Sequence, residues 1–148
     1  MTSKNTKTQA FLMNEGETIM KVSFMVMGKP VGKQRPRTVR NKYTGKTITY
    51  TPDATKLFES DVAKRYKQMS NYVFKDGVAM SIFVYVKRPK RQTYKYPTVK
   101  PDTDNIAKTI LDGLNGVAYN DDKQVIKLSI EKFYDDDDCV AINISDYE

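Results

Sequence analysis

The chain has 148 residues, of which 39% are hydrophobic, with ten Tyr and six Phe, and these numbers fit one compact domain with its own core. It contains no histidine and one cysteine, Cys139, which excludes histidine-based nucleophilic catalysis, an internal disulfide and a Cys/His zinc site. A bound metal ion must therefore take mainly oxygen ligands, as Mg²⁺, Mn²⁺ and Ca²⁺ do. No apolar run approaches the roughly 18 to 20 residues of a membrane span, so we expect a cytoplasmic protein that does not contact a membrane.

The charge is divided along the chain. Residues 1–100 carry 21 Lys/Arg and 6 Asp/Glu, a balance of +15, whereas residues 101–148 carry 4 and 12, a balance of −8. A basic part suits a polyanion such as a nucleic acid, and an acidic part suits a metal ion. Two solvated surfaces of opposite sign would give the same counts, so charge alone leaves both interpretations open.

The first 50 residues predict a leader, a strand and a hairpin. Residues 1–18 are polar without sustained periodicity, which predicts a flexible leader before a domain that spans 19–148. Met20, Val22, Phe24 and Val26 alternate with their neighbours and predict a strand with one buried face. A basic loop interrupted by proline follows, and a turn at 43–46 then predicts a hairpin.

The middle of the chain predicts a helix and a central strand. Thr51, Pro52 and Asp53 suit the cap and the first turn of a helix that should run to about Met69. Its predicted buried face consists of Ala54, Leu57, Phe58, Val62, Tyr66 and Met69. Residues 78–86 are almost continuously apolar, which predicts a central strand covered on both faces.

The last third predicts a long basic loop at 87–100, a helix from 101 to about 116, and two strands at 124–133 and 139–144. Ile106, Ile110 and Leu114 should form the apolar stripe of this helix, and Gly116 suits a left-handed residue at its end. The two strands should form a hairpin across 135–138. The fold class we predict is therefore α/β (α+β): a single domain in which two main helices pack on a mixed β-sheet.

Acidic residues near the second helix are the candidates for chemistry. Asp102 and Asp104 lie close together at the helix start, and Asp104, Lys108 and Asp112 share one stripe because residues four apart stack on a helix. Asp121 and Asp122 follow a glycine-containing turn and could return to the same place. Carboxylates that hold Mg²⁺ could hydrolyse a phosphodiester, with a lysine stabilising the developing charge. Helix caps, a turn and an ordinary i,i+4 ion pair would explain the same residues without a metal ion.

A resemblance favours the catalytic interpretation. The runs P-D-T-D-N-I-A-K (101–108), D-G-L-N-G (112–116) and D-D-K-Q-V (121–125) resemble the signature of the RusA family of Holliday junction resolvases. The segments 28–30 and 33–37 are similar to that family's amino-terminal basic motif, so the resemblance covers about residues 20–145. One position departs from it: this chain has Pro101 where the family commonly has a basic residue before the first aspartate.

The resemblance implies a RusA-like fold and a Mg²⁺-dependent, homodimeric endodeoxyribonuclease, with Mn²⁺ as a substitute ion. Such an enzyme resolves four-way DNA junctions by paired nicks that leave 5′-phosphate and 3′-hydroxyl ends. By position, it implies that Asp102, Asp104, Lys108 and Asp122 are catalytic, and that Asp102, Asp104 and Asp122 hold the metal ion with Asp121 as an auxiliary. Another metal-dependent nuclease, acting on flaps or duplex, and a DNA-binding factor without catalysis are the alternatives.

Two basic segments are the predicted DNA contacts. Their lysines and arginines would bind phosphates and give affinity rather than sequence selectivity. The residues are Lys29, Lys33, Arg35, Arg37, Arg40, Lys87, Arg88, Lys90 and Arg91. Tyr94 and Tyr96 could stack on a base or simply pack, and the acidic run 135–138 is expected to be a solvated hairpin tip outside the active site.

Overall fold

A computed structural model describes residues 8–12, 18–50, 52–91 and 94–148 of the chain, with the backbone alone for 8–12 and 18. Within these ranges the elements are β1 (Thr8–Leu12), β2 (Thr18–Met27), β3 (Arg37–Arg40), β4 (Thr47–Tyr50), α1 (Asp53–Met69), β5 (Val78–Lys87), α2 (Thr103–Leu114), a short 3₁₀ helix (Asp122–Gln124), β6 (Val125–Asp135) and β7 (Cys139–Asp146). Strand β1 and Thr18, the first residue of β2, belong to the predicted leader. The other leader residues, 1–7 and 13–17, and the predicted cap Thr51 lie outside the described residues.

The main sheet has five strands in the order β1-β2-β7-β5-β6. Strand β5 runs parallel to β6 and antiparallel to β7, while β2 is antiparallel to both of its neighbours, β1 and β7. With α1 and α2 packed on this sheet, the prediction of a single α+β domain with a mixed sheet and two helices is confirmed.

The core lies between the two helices and one face of the sheet. Its largest buried side chains include Phe24, Tyr66, Ile82, Ile110 and Ile142. The predicted alternation of β2 and the apolar stripe of α2 are confirmed, because Val22, Phe24, Val26 and the apolar residues of the α2 stripe are buried, with Met20 partly buried against the same core. No helix in the described part of the chain is both long and apolar enough to cross a membrane.

The predicted buried face of α1 is partly wrong. Phe58, Val62 and Tyr66 are buried, but Leu57 is 66% exposed and Thr55 is buried instead. Ala54 is exposed as well. The helix is rotated so that its buried stripe is 55, 58, 62 and 66, which also follows helical spacing. Apolarity alone could not distinguish between the two stripes.

Strand β5 lies in the sheet interior as predicted, but it is not fully covered on both faces. Val78, Met80, Ile82 and Val84 are buried beneath the helices, whereas the intervening residues are half-buried. On that second face Phe133 stacks against Phe83 and Tyr85, with ring centroids 6.5 and 5.9 Å apart. Both helices cover the same face, so aromatic rings from the strands themselves cover part of the other. Cys139 at the start of β7 is completely buried, which fits a packing role for this single cysteine.

Strands β6 and β7 do not form the predicted hairpin. They flank β5 on opposite sides, and the connection 136–138 passes across the end of that strand. The backbone N–H groups of Lys87 and Arg88 donate to Asp138 Oδ1 (2.9 Å) and to the carbonyl of Asp135 (3.1 Å). This acidic crossover, residues 135–138, is therefore attached to the start of the second basic segment.

The predicted hairpin at 37–50 is confirmed and forms a separate ribbon. Strands β3 and β4 pair with each other only, and all eight of their residues are exposed. One face presents Val39 beside Ile48, and the other presents Thr38 bonded to Thr49 through their hydroxyl groups at 3.1 Å. Arg37 and Arg40 lie on this ribbon and are open to solvent.

Helices α1 and α2 come close together at Gly113. A Cβ atom added there would lie 2.8 Å from the backbone carbonyl oxygen of Glu59, closer than real Cβ atoms approach. Glycine to alanine inside a helix normally stabilises by about 1 kcal/mol. We expect Gly113→Ala instead to destabilise the fold by about 1–3 kcal/mol, because helix backbones must separate.

Urea unfolding measures this effect, with Ser60→Ala on the exposed surface of α1 as the control. The control should change the free energy of unfolding by less than about 0.5 kcal/mol. A Gly113→Ala protein as stable as the wild type would show that the two helices are not in close contact.

Candidate active site

Asp102 and Asp104 lie at the amino-terminal end of α2. Asp102 is the N-cap residue, and its backbone carbonyl accepts a hydrogen bond from the Ile106 N–H at 3.0 Å. Its carboxylate makes no capping hydrogen bond, and both aspartate side chains are exposed. The capping alternative therefore does not account for the Asp102 carboxylate.

Lys108 lies near carboxylates from two separate segments. Its Nζ is 3.2 Å from Asp112 Oδ1, one turn further along α2, and 3.6 Å from Asp122 Oδ2 in the 3₁₀ helix. The i,i+4 ion pair of this stripe thus forms with Asp112 rather than with Asp104. The hydrogen bond to Asp112 is the main cause of the raised pKa of Lys108, and Asp122 contributes less. The lysine therefore stays charged through neutral pH.

The connection after α2 brings Asp122 back towards the helix. Gly116 has a positive φ of 75°, as predicted for the residue that ends the helix, and its N–H donates to the Tyr119 carbonyl at 2.8 Å. The buried Tyr119 hydroxyl donates to the Leu111 carbonyl at 2.8 Å. Burial, reinforced by the nearby aspartates, raises the pKa of Tyr119, so it remains a neutral donor. These bonds fix the position of the segment that carries Asp122.

Asp121 and Asp122 occupy different environments although they are adjacent. Asp121 caps the 3₁₀ helix: its Oδ1 accepts from the Lys123 N–H at 2.9 Å, and Gln124 Oε1 accepts from the Asp121 N–H at 3.2 Å. The Lys123 N–H is also the main cause of the lowered pKa of Asp121. The carboxylate that faces Lys108 is that of Asp122.

The four predicted metal ligands are not gathered into one cluster. Across the described ranges, no group of three or more Asp, Glu, His or Cys side chains is placed to hold one ion. The structure brings Asp122 to Lys108 and leaves Asp102 and Asp104 at the open start of α2. A metal ion bound to these side chains as they are placed here would therefore have few protein ligands.

Two acidic residues outside the predicted set join this site. Lys33 Nζ lies 2.9 Å from Glu59 Oε1 and 3.0 Å from Asp112 Oδ2. Partial burial acts to lower the pKa of Lys33, but its bonds to the two carboxylates outweigh this and raise it. Asp112 belongs to the predicted stripe, whereas Glu59 gave no sequence signal, because its role depends on the contact of α1 with α2 at Gly113.

An open groove of about 660 Å³ lies beside the start of α2. It is lined by Lys29, Lys33 and Lys100 together with Asp102 and Asn105. The wall is tight at Gly32, where an added Cβ would lie 2.9 Å from Pro101 Cβ. Three lysines near an exposed carboxylate give this groove the charge that an anionic ligand requires.

The other predicted DNA contacts are spread over the surface. Arg35, Arg37 and Arg40 are exposed on or before the ribbon, and Lys87, Lys90 and Arg91 are exposed after β5. Arg88 Nη1 is 3.6 Å from Asp136 Oδ1 in the acidic crossover. Tyr94 and Tyr96 are 67% and 57% exposed, and Lys95 Nζ lies 5.5 Å from the centre of the Tyr96 ring. The tyrosines thus lie on the surface rather than in the core.

Comparisons with known proteins agree with this arrangement. The family model described as endodeoxyribonuclease RusA matches residues 27–145. The chain is 34% identical over 137 residues to the uncharacterized protein YqaN of Bacillus subtilis (strain 168), covering 83% of this chain and 94% of that protein. It is also 27% identical over 109 residues to the crossover junction endodeoxyribonuclease rusA of Lactococcus phage r1t, covering 71% and 82% respectively.

The family match includes all of the acidic and basic residues described above, from Lys29 to Asp122. It also spans α1, α2 and every strand from β3 to β6. By the extent of these sequence matches, the chain belongs to the RusA endodeoxyribonuclease family, whose members are hydrolases of DNA.

Proposed function

We propose that this protein is a Mg²⁺-dependent, structure-selective endodeoxyribonuclease that resolves four-way DNA junctions in recombination and repair. Paired nicks would leave 5′-phosphate and 3′-hydroxyl ends. The observation that carries the proposal is the meeting of Lys108 with Asp122 across two segments, at 3.6 Å, on the helix whose exposed start carries Asp102 and Asp104. The family membership, and the name of the phage relative, support the junction as substrate.

The chemistry of the available ligands fits a hydrated divalent cation. Mg²⁺ usually takes one or two protein carboxylates and completes its octahedron with water and substrate phosphate, so a preformed cluster of three is not required. Asp102, Asp104 and Asp122 would hold the ion, with Asp121 as an auxiliary, and Mn²⁺ would bind to the same oxygen ligands. When bound, the ion would acidify an attacking water and polarise a phosphoryl oxygen.

The chain's own residues would supply the rest of the chemistry. Lys108 keeps its charge because Asp112 and Asp122 raise its pKa, so its ammonium group can stabilise the negative charge that develops on the phosphorane. The exposed start of α2 leaves room for a phosphodiester beside Asp102. Asn105 and Lys100 line the same groove and would help to orient the strand.

DNA would be held by the predicted basic residues. The ribbon offers Arg37 and Arg40, the groove offers Lys29, and the segment after β5 offers Lys87, Lys90 and Arg91. Because these contacts are electrostatic, the affinity for DNA should fall steeply as the salt concentration rises. Arg35 and Arg88 complete the proposed set of phosphate contacts, whereas the predicted contact at Lys33 would compete with its ion pairs to Glu59 and Asp112.

A homodimer would place two active centres on one junction, because an isologous pair matches the twofold symmetry of two nicks. Light scattering after size-exclusion chromatography measures this directly. We further propose that the protein acts in the cytoplasm, at the nucleoid or on phage DNA.

The test is a comparison of substrates. Wild-type protein is incubated with a synthetic four-way junction, a flap and a linear duplex, each with Mg²⁺ and with EDTA. We expect paired nicks in the junction, in Mg²⁺ only, with ligatable 5′-phosphate ends. Equal cutting of all three DNAs would indicate a general nuclease instead, and cutting that persists in EDTA would remove the proposed metal dependence.

A further inference from the structure

Five charged side chains form one connected chain of ion pairs across four segments. Glu59 lies in α1, Lys33 in the loop after β2, Asp112 and Lys108 in α2, and Asp122 in the 3₁₀ helix. The successive distances are 2.9, 3.0, 3.2 and 3.6 Å. We call this set the carboxylate–lysine chain.

Asp112 is the centre of this chain. Its Oδ2 is 3.0 Å from Lys33 and its Oδ1 is 3.2 Å from Lys108, so each oxygen of one carboxylate binds a different ammonium group. Lys33 in turn has a second carboxylate partner, Glu59. Rotation of the Asp112 carboxylate would break at least one of these pairs, so Lys33 restricts how Asp112 presents its other oxygen to Lys108.

The members of the carboxylate–lysine chain differ in the exposure of their side chains. The side chains of Lys33, Glu59 and Asp112 are only 25%, 23% and 22% exposed, whereas that of Lys108 is 55% exposed. Ion pairs shielded from water are weakened less by salt than exposed ones. Glu59, Lys33 and Asp112 thus form a shielded support at one end, and Lys108 is the most exposed member, between this support and Asp122, whose side chain is 29% exposed.

The backbone reinforces the same support. The Lys33 N–H donates to the Asn105 carbonyl of α2 at 2.9 Å, and Gly113 lets the Glu59 backbone approach α2 closely. Lys33 and Glu59 are therefore both held against α2, the helix that carries Asp112 and Lys108. A phosphate contact, which the sequence analysis predicted for Lys33, would require its ammonium group to leave two carboxylates.

We propose that Lys33 is a positioning residue for cleavage: with Glu59 it holds Asp112, and Asp112 directs Lys108 towards Asp122 and the reacting phosphate. This inference rests on the proposed function. It assigns Glu59 and Asp112 to the support of the active site and separates Lys33 from the neighbouring Lys29, which lines the groove but has no place in the chain.

The experiment compares Lys33→Met, Glu59→Gln and the double variant. Two quantities are measured: the junction Kd in EDTA, and the single-turnover rate at saturating protein with Mg²⁺. We expect Lys33→Met to lower the rate roughly tenfold or more, because small misplacements of catalytic groups are costly, while the Kd changes less than about threefold. Lys33→Arg should recover most of the rate.

The double variant tests whether Glu59 acts through Lys33. We expect it to be no slower than Lys33→Met alone, since residues in one network are not additive. Lys56→Met, on the exposed surface of α1, removes an equal charge outside the chain and should leave the rate unchanged. Thermal unfolding is recorded for each protein, and Glu59→Gln, which keeps the side-chain shape, decides the result should Lys33→Met fold poorly.

Two results would overturn the inference. One is a Lys33→Met protein with a weakened Kd and a normal rate at saturation, which would make Lys33 a phosphate contact. The other is full additivity of Lys33→Met and Glu59→Gln. A wild-type protein that cuts none of the junction, flap and duplex substrates would instead remove the proposed function, and the inference with it.

Discussion

Replacement of Asp122 with asparagine is expected to lower the single-turnover rate of junction cleavage by about 100- to 1,000-fold without loss of junction binding. Asparagine keeps the shape of the side chain but removes the charge that would hold a metal ion and that lies 3.6 Å from Lys108. Binding should survive because it depends on the basic residues. Rates with Mg²⁺ and Kd values in EDTA measure the two effects separately, and Asp104→Asn should behave alike.

Asp121→Asn tests whether the carboxylate next to Asp122 also serves the reaction. Because asparagine caps a helix as well as aspartate does, the 3₁₀ helix should persist and the rate should fall much less than in Asp122→Asn. Asp137→Asn in the exposed acidic crossover is the neutral control. Equal losses at 121 and 122 would show that both carboxylates serve the reaction, and a normal rate in Asp122→Asn would refute its catalytic role.

Replacement of Lys108 with methionine is expected to lower the cleavage rate by about 100-fold. Its ammonium group is the charged group within reach of Asp122, and methionine keeps much of the aliphatic stem without the charge. Because Asp112 raises the pKa of Lys108, the wild-type rate should show no titration of this lysine between pH 6 and 9.

Lys64→Met, on the solvent side of α1, is the matched control for Lys108→Met and should cleave normally. Single-turnover rates at saturating protein separate the chemical step from binding. A Lys108→Met protein that cleaves at the wild-type rate but binds junction weakly would assign this lysine to DNA binding rather than to catalysis.

Much of the fold could be predicted because its signals are local. The alternation in β2, the helical stripe of α2 and the glycine at 116 each follow from residues close in sequence, and all are confirmed. The prediction of a β6–β7 hairpin was wrong. It rested on the rule that two alternating strands joined by a short connection usually pair with each other. Only the position of β5 between them excludes this, and no local pattern encodes that position.

The candidate site, like the fold, could be predicted only where its signals are local in sequence. Helical spacing predicts the stripe of Asp104, Lys108 and Asp112, whereas the catalytic roles of Asp102, Asp104, Lys108 and Asp122 are implied by the resemblance and stay predictions. Glu59 and the ion pairs of Lys33 could not be predicted in this way, because 26 residues separate this lysine from Glu59 in sequence. Contacts of that range depend on how α1 lies against α2, which is set by close backbone approach at Gly113. Metal ligation by the four aspartates stays a prediction.

The acidic crossover has a consequence for the path of the DNA. Four consecutive aspartates lie where the second basic segment begins, and one of them already pairs with Arg88 at 3.6 Å. A sugar–phosphate backbone that followed the lysines and arginines past this point would meet negative charge and be repelled. The acidic crossover would therefore limit how closely a junction arm can approach the basic residues beside it, Lys87 and Arg88 among them, and would favour a path on which its phosphates face away from these carboxylates.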